Sequence, residues 1–414
     1  MKNSYVAGAI VAGVVIAWAL SFIVISDIAL FAGFIVAIGG IIYADRRKVK
    51  LEGIVFIRRT KRGRDFIDKI ASSANGFWRA AGVVGIIIAI ILMVGGSLLL
   101  LNQAYLVLSG AEGGVKLLLP GPVSAPVDAP GVFVVPWWIW VIGIAVVIIP
   151  HEFMHGIMCR IDKVRIKSVG WLLLVIIPGA FVEPDEKQLQ KMKKITKLRV
   201  YAAGSFANMI TAVIVLIIFA IFFALTVQPA GVFVGTVPGS PAYNASLNGS
   251  IISINNQSVV SNSDMSRILS QYNPGDSVDI KTAAMIGAAP SFLPGNVIPG
   301  AAAVIDENDI RNYRITLGSH PERDGAFLGV SPIATAITLS IPMAAYAGIT
   351  TLLLWMFIFS FGIGLVNLLP IKPLDGGLMI EELVGGRKNV VRAISVFMLL
   401  VLIFNLVGPL FLGL

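Results

Sequence analysis

Apolar residues fall along this 414-residue chain in long runs, each near the ~20 residues that carry a helix across ~30 Å of hydrocarbon. The runs predict crossings at residues 5–24, 27–44, 79–102, 135–158, 199–226, 338–368 and 390–413. Only Asp27 separates the first two, which predicts a tight hairpin. The first run lacks a small-residue cleavage pattern and is too long for a signal peptide's apolar region, so it reads as an anchor. Between residues 227 and 337 the pattern changes to short β-branched runs ("GVFVGTV", "SIISINNQSVV", "SVDIKTA", "NYRITLG") separated by turn residues. There "NSDMSRILSQYNPGD" predicts a helix capped by Asn262 or Ser263 and stopped at Asn273-Pro274-Gly275. The expected fold class is therefore a polytopic α-helical membrane protein of about six to seven spans with an inserted α+β domain.

Composition agrees, since 57% hydrophobic and 13% charged residues leave more apolar surface than a soluble core can hide. The net charge of +9 would suit nucleic acid, but its distribution points elsewhere. Residues 45–79 hold 11 Lys/Arg and residues 159–200 hold 10, out of 32, and no aromatic interleaving accompanies them. By the positive-inside rule both segments are cytoplasmic, which puts the N-terminus inside and residues 103–134 and 227–337 outside. The last segment carries five Lys/Arg against eight acids. The expected organisation is an N-terminal hairpin and basic loop at 1–78, a core in two parts at 79–226 and 331–414, and the extracytoplasmic domain at 227–330. The single cysteine, Cys159, excludes an internal disulfide framework and an all-cysteine metal cage.

Within one apolar run stands "VVIIPHEFMHGIMC", residues 146–159. An H-E-x-x-H on a helix brings His151 and His155 onto one face, one turn apart, where both imidazoles reach one Zn²⁺. Glu152 then lies beside the metal. Zinc lowers the pKa of a water from 15.7 to about 7, and a neighbouring carboxylate takes its proton, so that a carbonyl carbon is attacked at neutral pH. An ionisable group at mid-membrane costs at least ~2.5 kcal/mol on insertion scales and persists with a partner or a function. Three within five residues favour the second. Pro150 removes a backbone donor just before His151 and predicts a disturbed helix there.

A zinc centre needs a third protein ligand, and the candidates are His320, Cys159, Glu183, Asp185, Asp375, Glu381 and Glu382. His320 falls in the outer domain, and three ligands from one straight helix, Cys159 included, close poorly around a tetrahedral ion. Asp375 lies in "NLLPIKPLDGG", residues 367–377, whose prolines and glycines forbid regular helix at the inner end of a span. Two crossings separate the two motifs, so both end on the cytoplasmic side. A rise of ~1.5 Å per residue from about residue 137 puts His151 ~21 Å below the outer boundary.

Two resemblances follow from these motifs. "VPGSPAYNASLNGSIISINNQSV" with "SRILSQYNPGDSVDIK" is similar to a PDZ domain, interrupted by the Ala/Pro/Gly-rich "MIGAAPSFLPGNVIPGAAAVIDEN". That resemblance implies a groove taking an extended peptide, its C-terminus included, by strand addition. Over about residues 135–385 the chain resembles the site-2 protease family of intramembrane zinc metalloproteases. The resemblance rests on H-E-x-x-H, on G-x-x-x-N at Gly204 to Asn208, and on N-x-x-P-x-x-P-L-D-G at Asn367 to Gly376. It implies one zinc held by His151, His155 and Asp375, Glu152 as general base, and Asn208 and Asn367 near the substrate. From the residues alone, Asn208 is as readily interhelical glue.

The same resemblance implies regulated intramembrane proteolysis, with single-span membrane proteins in the lipid bilayer as substrates and no nucleic-acid partner. "KSVGWLLLVIIPGAFVEPDE", residues 167–186, is too short and broken to cross. It is either a re-entrant hairpin whose edge pairs with unwound substrate or a buried packing element. Two other classes remain: a membrane zinc peptidase of the prenyl-protein type using Glu381 or Glu382, and a non-enzymatic PDZ-like receptor.

Overall fold

The computed structural model describes residues 27–60, 63–111, 114–122, 132–174, 177–290, 301–321 and 324–412. The crossing expected at 5–24 lies outside them. The chain divides into two compact units, Met1–Leu216 with Leu354–Leu414, and Ile217–Leu353.

The first unit begins with α1 (Asp27–Ala44), a hairpin of β1 (Val49–Glu52) and β2 (Val55–Thr60), and α2 (Arg64–Ser73). α3 (Asn75–Leu108) follows, then β3 (Leu117–Gly121) and β4 (Val132–Pro136), which pair in parallel, and α4 (Trp137–Ile161). β5 (Ile166–Leu174), β6 (Ile177–Pro184), the short α5 (Glu186–Gln190) and α6 (Lys194–Thr226) complete this stretch. The basic segment expected to be a loop is thus folded. β2 pairs antiparallel with β5, and the sheet runs β1-β2-β5-β6 with β6 at its end. Ion pairs of Arg58 with Asp45 and of Arg160 with Asp68 consume part of its charge. Pro150 leaves α4 continuous over 25 residues rather than breaking it. The loss of one N–H removes one intrahelical bond, and the packed neighbours on either side hold the rest.

The second unit is an α+β fold. Its strands are β7 (Val227–Thr236), β8 (Ser250–Ile254), β9 (Gln257–Ser258), β10 (Ser277–Pro290), β11 (Ala301–Thr316), β12 (Gly318–Ser319), β13 (Ala326–Phe327) and β14 (Val330–Leu339). The helices α7 (Pro241–Asn244) and α8 (Asn262–Leu269) lie among them. The main sheet runs β10-β11-β14-β7-β8-β9, and a further β10–β8 pairing curls it back on itself around Ile251, Ile254, Ile268 and Ile280. The Ala/Pro/Gly-rich stretch does not simply interrupt the late strands. It extends β10 and β11, which pair through to Pro290 opposite Ala301, with Ala289 and Ala302 buried. The cap of α8 is Ser261, not Asn262 or Ser263. Ser261 is the extended residue, and its hydroxyl accepts the Asp264 N–H at 3.2 Å. That hydroxyl also donates to the Asp264 carboxylate and holds it below its usual range. α8 ends at Leu269, before Asn273, where the chain turns.

The chain then returns through α9 (Met343–Asn367), α10 (Asp375–Leu383) and α11 (Lys388–Leu412). Five helices, α3, α4, α6, α9 and α11, are long and apolar enough to cross a membrane. α1 differs from the expectation of a sixth among the described residues, because its apolar stretch Ala29–Ala44 reaches only ~24 Å at ~1.5 Å per residue. The buried cluster of the first unit gathers Ile157, Met158 and Cys159 of α4, Val200 to Ala203 of α6, Leu368 and Met379.

Candidate metal centre

α4 positions two of the functional side chains by helical period alone. His151 and His155 share a face, and their Nε2 atoms stand 3.2 Å apart. The third comes from the loop after α9. There the chain folds back so tightly that a Cβ on Gly376 would lie 2.0 Å from the Leu368 carbonyl oxygen, and one on Gly377 2.5 Å from Ile371. This return delivers Asp375, the first residue of α10, to the histidines. Its Oδ2 is 3.5 Å from His151 Nε2 and 3.4 Å from His155 Nε2.

These three separations form a nearly equilateral triangle. Two ligands of a tetrahedral ion with bonds of ~2.0–2.1 Å stand ~3.3 Å apart, so the donors have the spacing that zinc requires. Asp375 Oδ2 is buried and makes no hydrogen bond among the described residues. An orphaned carboxylate oxygen facing two imidazole nitrogens is what a cation would complete. The residues therefore fit a zinc ion, with one coordination position left for a reactant. Among the described residues, no other His, Cys, Asp or Glu joins the group.

α6 supplies the surroundings. His155 Nδ1 donates to the Val200 carbonyl at 2.6 Å, and His151 Nδ1 lies 3.1 Å from Asn208 Nδ2. Between them, a Cβ on Gly204 would come 2.4 Å from the Nε2 atoms of both histidines. Only a hydrogen fits there. The Glu152 carboxylate accepts the Val182 N–H of β6 at 2.9 Å. Asn367 ends α9, half-buried, outside the His-His-Asp group.

The remaining candidates are engaged elsewhere. Cys159 is fully buried in the core, Glu183 accepts from the Ser168 hydroxyl, and Asp185 caps α5. Glu381 pairs with Lys372 at 2.6 Å and Glu382 with Lys197 at 2.7 Å, so the alternative that used them as ligands loses its donors. His320, in the second unit, packs edge-on to Phe327.

Helices long and apolar enough to cross a membrane around a largely buried His-His-Asp centre, with an adjacent glutamate, define a membrane metalloprotease. Residues 139–407 match the model of Peptidase family M50, the site-2 protease family of zinc metalloproteases, and the chain belongs to that family. An uncharacterized protein of Methanocaldococcus jannaschii is 28% identical over 365 residues, covering 84% of each chain. A PDZ domain of an SdrC-like protein from Listeria monocytogenes is similar to 26% of this chain over 90% of its own length, at 16% identity. Its TM-score of 0.19 is too low to bear on the fold of the inserted unit.

Proposed function

We propose that the chain is an intramembrane zinc endopeptidase that cuts peptide bonds within the transmembrane helices of single-span membrane proteins. The observation that carries this reading is the His-His-Asp triangle buried in an apolar bundle, with the Glu152 carboxylate bonded to an amide of the terminal strand β6. His151, His155 and Asp375 would hold a zinc ion, which would supply Lewis acidity toward a carbonyl. Glu152 takes a proton from the attacking water at its carboxylate and returns it to the departing amine. β6, which ends its sheet among the described residues, offers backbone to a substrate segment that has lost its own helical bonds.

The test is purification in detergent with a panel of single-span substrates and mapping of the cut. Cleavage should fall inside the span and quicken when Pro or Gly is placed beside the bond. Cuts confined to soluble loops would refute the intramembrane reading. Elemental analysis should find one zinc per chain, and His155→Ala should lower it to background. Full zinc retention in that variant would remove His155 from the ligand set.

The same reading places residues 45–79 and 159–200 in the cytoplasm and residues 227–337 outside, on the strength of the 21 basic residues in the two segments. Cysteines introduced near residues 60 and 190 should react with an impermeant thiol reagent only from the cytosolic side, and one near residue 262 only from outside. The reverse pattern would invert the arrangement.

A further inference from the structure

We infer that Asn208 positions His151 for metal binding and does not meet the substrate. The inference rests on the zinc-protease reading and assigns a task to a residue that reading leaves undefined. Val200, Gly204 and Asn208 follow one another at intervals of four along α6, so they form one stripe on the helix. The stripe lies across the two histidines, with the Val200 carbonyl on His155 Nδ1, Gly204 against both Nε2 atoms, and the Asn208 amide on His151 Nδ1. Each imidazole thus turns Nδ1 outward to a fixed polar group and Nε2 inward to the shared point. The spacing G-x-x-x-N has a physical meaning here: clearance, then one turn later a tether.

Proton accounting extends the argument. A neutral histidine with its lone pair free at Nε2 carries its proton at Nδ1 and needs an acceptor there. For His155 that acceptor is the Val200 carbonyl. For His151 the group in place among the described residues is the Asn208 amide, whose oxygen is brought to Nδ1 by rotation about the last side-chain torsion. In the present orientation the amide nitrogen faces His151, and Oδ1 is buried with no hydrogen-bond partner among the described residues. That orientation suits the other tautomer, with the proton on Nε2. The amide therefore follows the proton, and the oxygen-inward orientation belongs to the metal-binding state.

Burial decides against substrate contact. Asn208 has no exposed surface. α9 closes over it so tightly that a Cβ on Gly364 would be 3.0 Å from Asn208 Cβ. No face remains for a peptide.

The experiment measures zinc affinity by chelator competition, together with KM for a single-span substrate at saturating zinc, on the detergent-purified full chain. Asn208→Leu removes the acceptor at similar volume and should weaken zinc binding about 10- to 100-fold, the usual effect of losing a hydrogen-bond partner of a metal ligand. KM should stay unchanged. Asn208→Asp, whose carboxylate accepts from Nδ1–H, should keep zinc affinity within about threefold of the parent or tighten it. This rescue keeps the test decisive if the leucine variant fails to fold. Wild-type zinc affinity in Asn208→Leu with a raised KM would overturn the inference, as would an Asn208→Asp that holds zinc no better than Asn208→Leu. An unsubstituted protein that binds no zinc would instead sink the zinc-protease reading itself.

Discussion

Glu152→Gln should retain its zinc and lose cleavage by about 10²- to 10⁴-fold, the usual contribution of a positioned general base. The substitution is nearly isosteric. Its amide oxygen can still accept the Val182 N–H that the carboxylate accepts at 2.9 Å, so the link between α4 and β6 survives. The ligand triangle of His151, His155 and Asp375 does not include position 152 and should keep its metal. What disappears is the ability to take a proton from water and hand it on. Initial rates on a mapped single-span substrate, paired with metal analysis of the same sample, check this. A variant retaining more than a tenth of the parent rate would remove Glu152 from its role. One that loses zinc as well would show that its bond to β6 holds the ligands in place.

Gly204→Ala should abolish zinc binding, with an affinity loss of at least about 100-fold, at the upper end of what residues beside a metal ligand usually exert. The added methyl would stand 2.4 Å from both Nε2 atoms, a distance that real Cβ atoms essentially never show. The imidazoles are tied at their far sides to Val200 and Asn208, so they cannot swing clear without breaking a buried hydrogen bond. Overpacking alone costs about 1–3 kcal/mol, so the chain should still fold. Gly95→Ala is the control. A Cβ there meets nothing within 4 Å, and the exchange should leave zinc binding unchanged. Equal zinc affinity in the two variants would show that α6 moves away from the histidines at little cost.

Much of this was legible in the sequence because it is written locally. Uninterrupted apolar runs marked α3, α4, α6, α9 and α11 to within a few residues, and a four-residue spacing put His151 and His155 on one face. Asp375 could be named a candidate from its loop, but its approach to the histidines depends on the fold-back that Gly376 and Gly377 allow. Half of the four-stranded sheet was hidden: a hairpin over 167–186 was one of two readings of that stretch, and β5 with β6 forms it, but its pairing with the first hairpin was not legible. β2 and β5 are separated by more than a hundred residues, and the first hairpin is dressed in arginines that read as a cytoplasmic loop. Pairing partners so far apart leave no mark on either segment alone. The same holds for the Val200 carbonyl and the Val182 amide, since backbone groups that serve a site carry no residue-type signature. Ser261 was passed over as the cap of α8 because three successive polar residues, Ser261, Asn262 and Ser263, offer equivalent oxygens. Backbone geometry, extended at Ser261, selects one of them.

The terminal position of β6 has a further consequence. A strand that ends its sheet is a hazard, because an extended chain nearby could add itself and keep adding. Strand backbone alternates, so the residues that face outward with Val182 are Pro178, Ala180 and Pro184. Two of these have no N–H to give. Val182 already donates to the Glu152 carboxylate, which leaves Ala180 to donate, and a proline stands at each end of that short window. A guest strand would meet such an edge over only two or three residues. The edge would read main chain rather than side chains, which favours tolerance of sequence and intolerance of length. An inhibitor built for it would need only a brief extended backbone, and a long β-forming peptide would gain nothing from its extra residues.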